Sequence, residues 1–379
     1  MKAGIPKEVT PGETRVAMIP ETVKKLTSMK LDVLVEASAG AASGYPDADY
    51  QQAGATIVAS ADELYSQADM ILKVAKPTDE EVGKLKEGQV VVAMLAPAFN
   101  TDLAKALADK KVISFSLDAV PRITRAQSMD VLSSMSTIAG YKAVLLAADS
   151  MPKMCPMLTT AAGTIRPAQA LIIGAGVAGL QAIATAKRIG CVTTAIDVRP
   201  AVKEQVESLG AKFIAMEVDH AAEDAGGYAT DLGEDFYKGE QEIIAPHSKG
   251  ADMIITTALI PGRDAPVLIT QEMVEAMKPG SVIVDLAAIA GGNCTLSKPD
   301  ETVVHQDVTI LGPTNLPAQL PLHASQMFSR NVATFLGEFI TKEGQLNLDM
   351  ENEVVAGSII THEGEIKHEL TLKAINGSN

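Results

Sequence analysis

Apolar runs of strand length alternate with amphipathic stretches of helical period along almost the whole chain. This is the pattern left by parallel strands joined through helices. In the first half the runs fall near 2–5, 32–36, 55–58, 69–75, 89–95 and 112–117, with helical patterns at about 20–29, 47–53, 60–66, 79–86 and 101–110. In the second half strands are predicted near 170–173, 192–196, 212–216, 252–256, 281–286 and 308–312. One α/β domain is therefore expected before about residue 137 and another from there to about 317. Past Pro313 and Pro317, the stretch 322–340 reads as one long helix, with Phe328, Val332, Phe335, Leu336 and Phe339 at helical spacing. The second sheet is complete without it, so this helix is expected to return to the first domain. The expected division is 1–137 plus 318–379, and 138–317, with a cofactor cleft between them.

One segment interrupts the alternation. From Glu217 to Glu242 there are nine acidic residues and one lysine, with Gly226-Gly227-Tyr228 in the middle and little apolar periodicity. Two readings stay open: a solvated insertion, or a mobile loop of about 217–242 that closes as a lid with Tyr228 at its tip.

Composition narrows the classes. A chain of 379 residues, 47% hydrophobic, is too long for one ordinary core and too apolar for disorder. Aromatic residues are sparse and tryptophan is absent, which suits aliphatic α/β layers. A net charge of −15 argues against a nucleic-acid partner. Cys155, Cys191 and Cys294 are scattered, and the six histidines fall in no metal-ligand spacing, so free thiols in a reducing compartment and no metal are expected. The start of the chain has no apolar leader, which points to the cytoplasm. The longest nearly uncharged run, Ala168–Ala186, contains several glycines and reads as a buried strand–turn–helix rather than a membrane span.

That run holds the clearest chemistry. Ala-Leu-Ile-Ile breaks into Gly174-Ala175-Gly176-Val177-Ala178-Gly179, a helical stretch runs on to Lys187, and a second apolar run ends on Asp197, 18 positions past Gly179. Strand, Gly-x-Gly-x-x-Gly turn, helix and distal acid together form a dinucleotide fingerprint. Gly174 permits the tight turn, Gly176 the approach of a pyrophosphate, and Gly179 close helix–strand packing. The helix start, at Val177 and Ala178, offers N–H groups to phosphate. Asp197 can accept from the adenosine ribose and repel a 2′-phosphate, which favours NAD(H); Arg199, just past Val198, is a residue type that can accommodate a 2′-phosphate.

Between the halves the chain reads Arg122-Ile-Thr-Arg-Ala-Gln127-Ser-Met129-Asp130-Val-Leu-Ser133. Gln127, Asp130 and Ser133 share one face if the segment is helical. Composition alone makes this a polar helix face. Its position at the domain junction supports a second reading, an amide, a carboxylate and an arginine that fix the nicotinamide end of a dinucleotide.

Several segments together resemble the NAD(H)-binding component of proton-translocating nicotinamide nucleotide transhydrogenases, nearly end to end. They include Pro6-Lys-Glu with Gly12-Glu-Thr-Arg15-Val, Arg122 to Ser136, Gly179 to Arg188, Lys203 to Gly210, Thr256 to Gly262, and Gly291-Gly-Asn-Cys294. The resemblance implies two Rossmann-like, doubly wound parallel-sheet domains. It assigns Arg122, Gln127 and Asp130, with Met129 and Ser133 in the same segment, to the nicotinamide. Asp197 is assigned to the ribose, Gly227 and Tyr228 to the closing loop, and Thr257, Ala258 and Leu259 to a strand end lining the cofactor. It further implies an NADP(H)-binding partner subunit, a membrane-spanning proton-channel subunit, a homodimer, and a location peripheral to the inner membrane.

Alanine dehydrogenases share the architecture, the start around Arg15, and Lys73 in Leu-Lys-Val. Oxidising an amino acid at Cα needs a general acid/base. That family places a histidine after the strand matching 89–95 and an aspartate before the glycine pair. Here those places read Leu95-Ala96-Pro97 and Ile289-Ala290-Gly291-Gly292. Hydride exchange between two nicotinamides needs neither group. A nucleotide-sensing subunit without turnover is a third reading; the Arg122–Ser133 match, at the reacting end of the cofactor, speaks against it.

Overall fold

A computed structural model describes residues 1–215, 233–259 and 264–377. The chain folds into two compact units, Met1–Met135 with Pro317–Asn379, and Ser136–Leu316.

In the first unit six parallel strands, β1 (Lys2–Ile5), β2 (Asp32–Glu36), β3 (Thr56–Val58), β4 (Met70–Leu72), β5 (Val90–Ala93) and β6 (Ile113–Ser116), lie in the order β6-β5-β4-β1-β2-β3. Each coincides with a predicted apolar run, and helices at Pro20–Ser28, Asp47–Gln52, Ala61–Gln67, Asp79–Lys84 and Thr101–Asp109 occupy the expected connections. Two short strands that the pattern does not foretell, Ile359–His362 and Glu365–Ile366, extend the sheet antiparallel beyond β6. The C-terminal helix is shorter than its pattern. It spans Pro321–Leu336, and Phe339 follows in the turn beyond it. Phe339 is nonetheless buried, stacked on Phe115 with centroids 4.4 Å apart and edge-on to Phe335 at 5.2 Å.

In the second unit β7 (Gln169–Ile173), β8 (Val192–Asp197), β9 (Lys212–Ala215), β10 (Met253–Thr256), β11 (Val282–Asp285) and β13 (Val308–Leu311) are parallel, in the order β9-β8-β7-β10-β11-β13. An antiparallel edge strand β12 (Thr302–His305), absent from the sequence reading, follows β13. Side-chain alternation feeds two cores, one on each face of the sheet. Ala170, Ile172, Met253, Ile255, Val282 and Val284 point to one, with Ala182, Ile183 and Ala186 of the helix Val177–Arg188. Leu171, Ile173, Ile196, Ile254 and Ile283 point to the other, with Ile244 of the helix Glu234–Ser248. That helix corrects the reading of about 217–242 as one loop, because the segment is helical from Glu234. The stretch before it, with Gly227 and Tyr228, lies outside the described residues.

The uncharged run Ala168–Ala186 resolves into β7, the glycine turn and a helix. The helix Val131–Ser150 is the one described helix long and apolar enough to cross a bilayer by length and composition. Ala143, Val144 and Ala147 from it are fully buried in the second unit's core.

Candidate nucleotide site

β7 ends at Ile173 and delivers the backbone into the glycine turn. Gly174 has φ +89°, a conformation that glycine adopts without steric cost. A Cβ there would also stand 2.5 Å from the Thr257 hydroxyl, which donates to the Gly174 carbonyl at 3.0 Å. Gly176 caps the helix Val177–Arg188. A Cβ on Gly176 would meet nothing nearer than Arg199 Nη2 at 3.9 Å, so the space over it is open. Gly179 is the opposite case: its Cβ would lie 1.9 Å from the Gly174 carbonyl oxygen. The turn thus combines a backbone-to-backbone contact at Gly179 with an open cradle at Gly176, and Val177 and Ala178 begin the helix beside it. This fits a dinucleotide pyrophosphate.

Asp197 ends β8 and is 5% exposed. Its Oδ2 accepts from Ala175 N–H at 2.6 Å and Arg199 Nη2 at 2.8 Å. Its Oδ1 accepts from Arg199 N–H at 2.8 Å and Nε at 2.9 Å. The Asp197 carboxylate therefore locks the turn to the strand while its charge is matched by Arg199. Val198, half-buried, packs against the Ile196–Ile244 core.

Thr257, Ala258 and Leu259 follow β10, with Leu259 exposed. Asn293, fully buried, fixes this strand end by accepting from Ala258 N–H at 3.0 Å and donating to its carbonyl at 2.9 Å. Sequence reasoning did not assign Asn293 a role, although it lies in the matched segment Gly291-Gly-Asn-Cys.

Glu240 was also missed. It sits on the helix Glu234–Ser248, 5% exposed, and burial together with the charge of Asp197 pushes its carboxyl up to about 7. A carboxyl raised in the folded state contributes stability that is present below its ordinary value of 4.5 and lost as pH rises through about 7. Glu240→Gln is expected to flatten the decline in unfolding midpoint between pH 5 and pH 8; an unchanged decline would contradict this environment.

In the first unit the candidate segment is not one regular helix face. Thr124–Met129 forms a 3₁₀ turn, Asp130 is extended, and an α-helix starts at Val131. Asp130 caps that helix, accepting from Ser133 N–H at 2.8 Å and Ser133 Oγ at 2.6 Å. Arg122 and Gln127 are exposed while Met129 is buried. The 3₁₀ turn is pinned from outside the segment. Arg125 binds Glu338 at 2.7 Å and Asn352 at 2.6 Å, and Asn331 donates to the Ser128 carbonyl at 2.8 Å. These anchors come from the C-terminal end of the chain, and no local pattern foretells them.

Arg15 and Lys73 are both engaged by acids of the same unit. Arg15 grips Glu13 through Nε at 2.8 Å and Nη2 at 2.6 Å. Lys73 Nζ, fully buried, lies 2.6 Å from Glu81 and 3.2 Å from Glu8. After β5, Ala96 has φ +44°, and Asp118 accepts from the Leu95 and Ala96 amides at 3.0 and 3.3 Å.

A doubly wound sheet with a glycine cradle at its first strand and an acid at the end of its second defines a dinucleotide-binding oxidoreductase subunit, with NAD(H) as cofactor. Residues 4–139 match the family description "Alanine dehydrogenase/PNT, N-terminal domain" and residues 143–369 "Alanine dehydrogenase/PNT, C-terminal domain"; the chain belongs to this family. It is 48% identical over 376 residues to an NAD(P) transhydrogenase subunit alpha chain of Rhodospirillum rubrum, covering 97% of this chain and 98% of that protein. It is 30% identical over 376 residues to an alanine dehydrogenase of Mycobacterium tuberculosis, covering 97% and 95%. The crystal structure of a transhydrogenase from Sinorhizobium meliloti superposes with a TM-score of 0.84 at 42% identity, covering 97% of this chain and 99% of that one.

Proposed function

We propose that this chain is the NAD(H)-binding subunit of a proton-translocating transhydrogenase. It exchanges hydride between NAD(H) held here and NADP(H) on a partner subunit, and membrane subunits couple that exchange to proton movement. The observation that carries the reading is the match over nearly the full length to a transhydrogenase alpha-subunit chain. The stretches Leu95–Pro97 and Ile289–Gly292 support it, because where an amino-acid dehydrogenase places ionisable groups they offer none. The chain is read as a homodimer in the cytoplasm, held at the inner membrane by its partners.

When bound, NAD(H) supplies or receives the hydride at C4 of its nicotinamide. The protein's task is positioning and exclusion of water. Gly174–Gly179 and the start of the following helix take the pyrophosphate. Asp197, with Val198 and Arg199, takes the adenosine ribose, and Thr257–Leu259 line the cofactor. Arg122, Gln127 and Asp130, with Met129 and Ser133, orient the nicotinamide, and Gly227 and Tyr228 belong to the cofactor-binding residues. Gln127→Asn moves the amide back by one methylene without removing it. Hydride transfer is then expected to slow at least tenfold while the Kd for NADH changes less than about threefold. Stopped-flow transfer set beside fluorescence titration tests this, and equal losses in both would refute the assignment.

A further inference from the structure

Asn293 is fully buried, and its side-chain oxygen and both amide protons are in use. Oδ1 accepts from Ala258 N–H at 3.0 Å, while Nδ2 donates to the Ala258 carbonyl at 2.9 Å and to the Pro266 carbonyl at 2.8 Å. An acceptor beside two donors is what a primary amide supplies and a carboxylate or hydroxyl does not. The clamp stands on a fixed base. The Asn293 carbonyl accepts from the Leu268 and Ile269 amides at 2.8 and 2.9 Å. Asp285, fully buried at the end of β11, accepts from Thr256 Oγ1 at 2.8 Å and from Cys294 N–H at 3.0 Å. It thereby joins the last residue of β10 to the residue after Asn293. The chain passes so close to this carboxylate that a Cβ on Gly292, whose φ is +88°, would lie 2.9 Å from Asp285 Oδ2.

The place of the clamp in the sheet gives it a task. Strand order puts β8 on one side of β7, and β10 and β11 on the other. The winding reverses between β7 and β10, and a dinucleotide lies across the crevice at that point. Asp197, at the end of β8, marks the adenosine side. Ala258 follows β10 on the opposite side, and its neighbour Thr257 donates to the Gly174 carbonyl at 3.0 Å, so the clamped strand end abuts the glycine turn. A dinucleotide whose pyrophosphate crosses that turn turns its nicotinamide half toward Ala258. We infer that Asn293 is a positioning residue for hydride transfer, which acts through Ala258. It fixes the height of the Ala258 backbone beneath the nicotinamide nucleoside, while Asp197 and the glycine turn hold the rest of the cofactor. A shift of this strand end by about 1 Å would misplace the reacting ring and cost rate out of proportion to affinity.

The inference rests on the NAD(H) site proposed above, and its test separates the two. Asn293→Ala and Asn293→Asp are compared with the unmodified whole chain, with an NADP(H)-binding partner component added. Asn293→Asp keeps the size of the side chain and loses both N–H donors, so it carries the comparison even where Asn293→Ala does not fold. Single-turnover hydride transfer from saturating NADH to an NADP⁺ analogue should slow roughly tenfold or more in each folded variant. The Kd for NADH should rise less than about threefold, and the Kd for ADP, which lacks the nicotinamide nucleoside, should stay within about twofold. A side chain that only supports the fold would lower the unfolding midpoint and leave the rate at saturation unchanged. Unchanged transfer in a folded variant, or a parallel loss of NADH and ADP binding, would overturn the assignment and leave the NAD(H) site standing. Failure of the unmodified chain to bind NADH or to pass hydride would overturn the proposed function and the inference with it.

Discussion

Gly179→Ala is expected to destabilise the second unit by about 2–4 kcal/mol, whereas Gly176→Ala, three residues earlier, should leave stability nearly unchanged and weaken nucleotide binding. Both glycines belong to one motif, but their surroundings differ. A methyl group at Gly179 would stand 1.9 Å from the Gly174 carbonyl oxygen. That atom is backbone, held in a turn that Asp197 and Thr257 tie down at Ala175 N–H and the Gly174 carbonyl. Relief requires the helix Val177–Arg188 to move off β7, which opens the packing of Ala182, Ile183 and Ala186 against the sheet. Gly176 has φ −73°, open to any residue, and free space above it. Alanine there costs the fold little but fills the place of the pyrophosphate, and the Kd for NADH should rise roughly 10–100-fold. Thermal unfolding and NADH titration of the two variants should therefore give opposite patterns. A stable Gly179→Ala protein, or a Gly176→Ala protein that binds normally, would contradict the turn as described.

Lys73→Met should be the second large effect, about 3–5 kcal/mol of lost stability with no selective loss of NADH affinity in the folded protein. Lys73 is buried with its ammonium between Glu81 and Glu8. Tyr65 donates to Glu81 at 3.1 Å, and the Val74 amide donates to Glu8 at 2.6 Å. Burial holds the Glu8 carboxyl above its ordinary range despite Lys73, because desolvation outweighs the attraction. Removing the ammonium leaves two buried acids without their counter-charge, and a fall of roughly 6–20 °C in Tm follows. A stable variant deficient in ligand binding would instead make Lys73 a ligand-gripping residue, as an amino-acid dehydrogenase would use it.

The alternating apolar runs announced the twelve parallel strands found among the described residues, because buried parallel strands are nearly continuous in Val, Ile and Leu. The elements that escaped in the second unit lack this signal. The hairpin Leu158–Thr160 and Gly163–Ile165 is exposed throughout, and the edge strand Thr302–His305 has no buried residue. The 322–340 pattern ran past the helix end because Phe339 is as buried as its helical neighbours, although Gly337 ends the helix. At the nucleotide turn the glycine spacing was legible, as backbone contact leaves room only for glycine at Gly179. The state of Asp197 was not. Its pairing with Arg199 and its repulsion by Glu240 depend on side-chain direction and on a residue more than forty positions downstream. The three-residue spacing of Gln127, Asp130 and Ser133 suggested a helix face, whereas a 3₁₀ turn held by Glu338, Asn352 and Asn331 precedes the helix.

The most direct test is a paired rate measurement on the purified chain. NAD⁺ reduction is followed with L-alanine, and hydride transfer from NADH to an NADP⁺ analogue is followed with and without an NADP(H)-binding partner component. The account predicts no turnover of alanine, and hydride transfer that appears only when the partner is added. Alanine-dependent formation of NADH by the chain alone would contradict it and would require a general base that neither Ala96 nor Ala290 can supply.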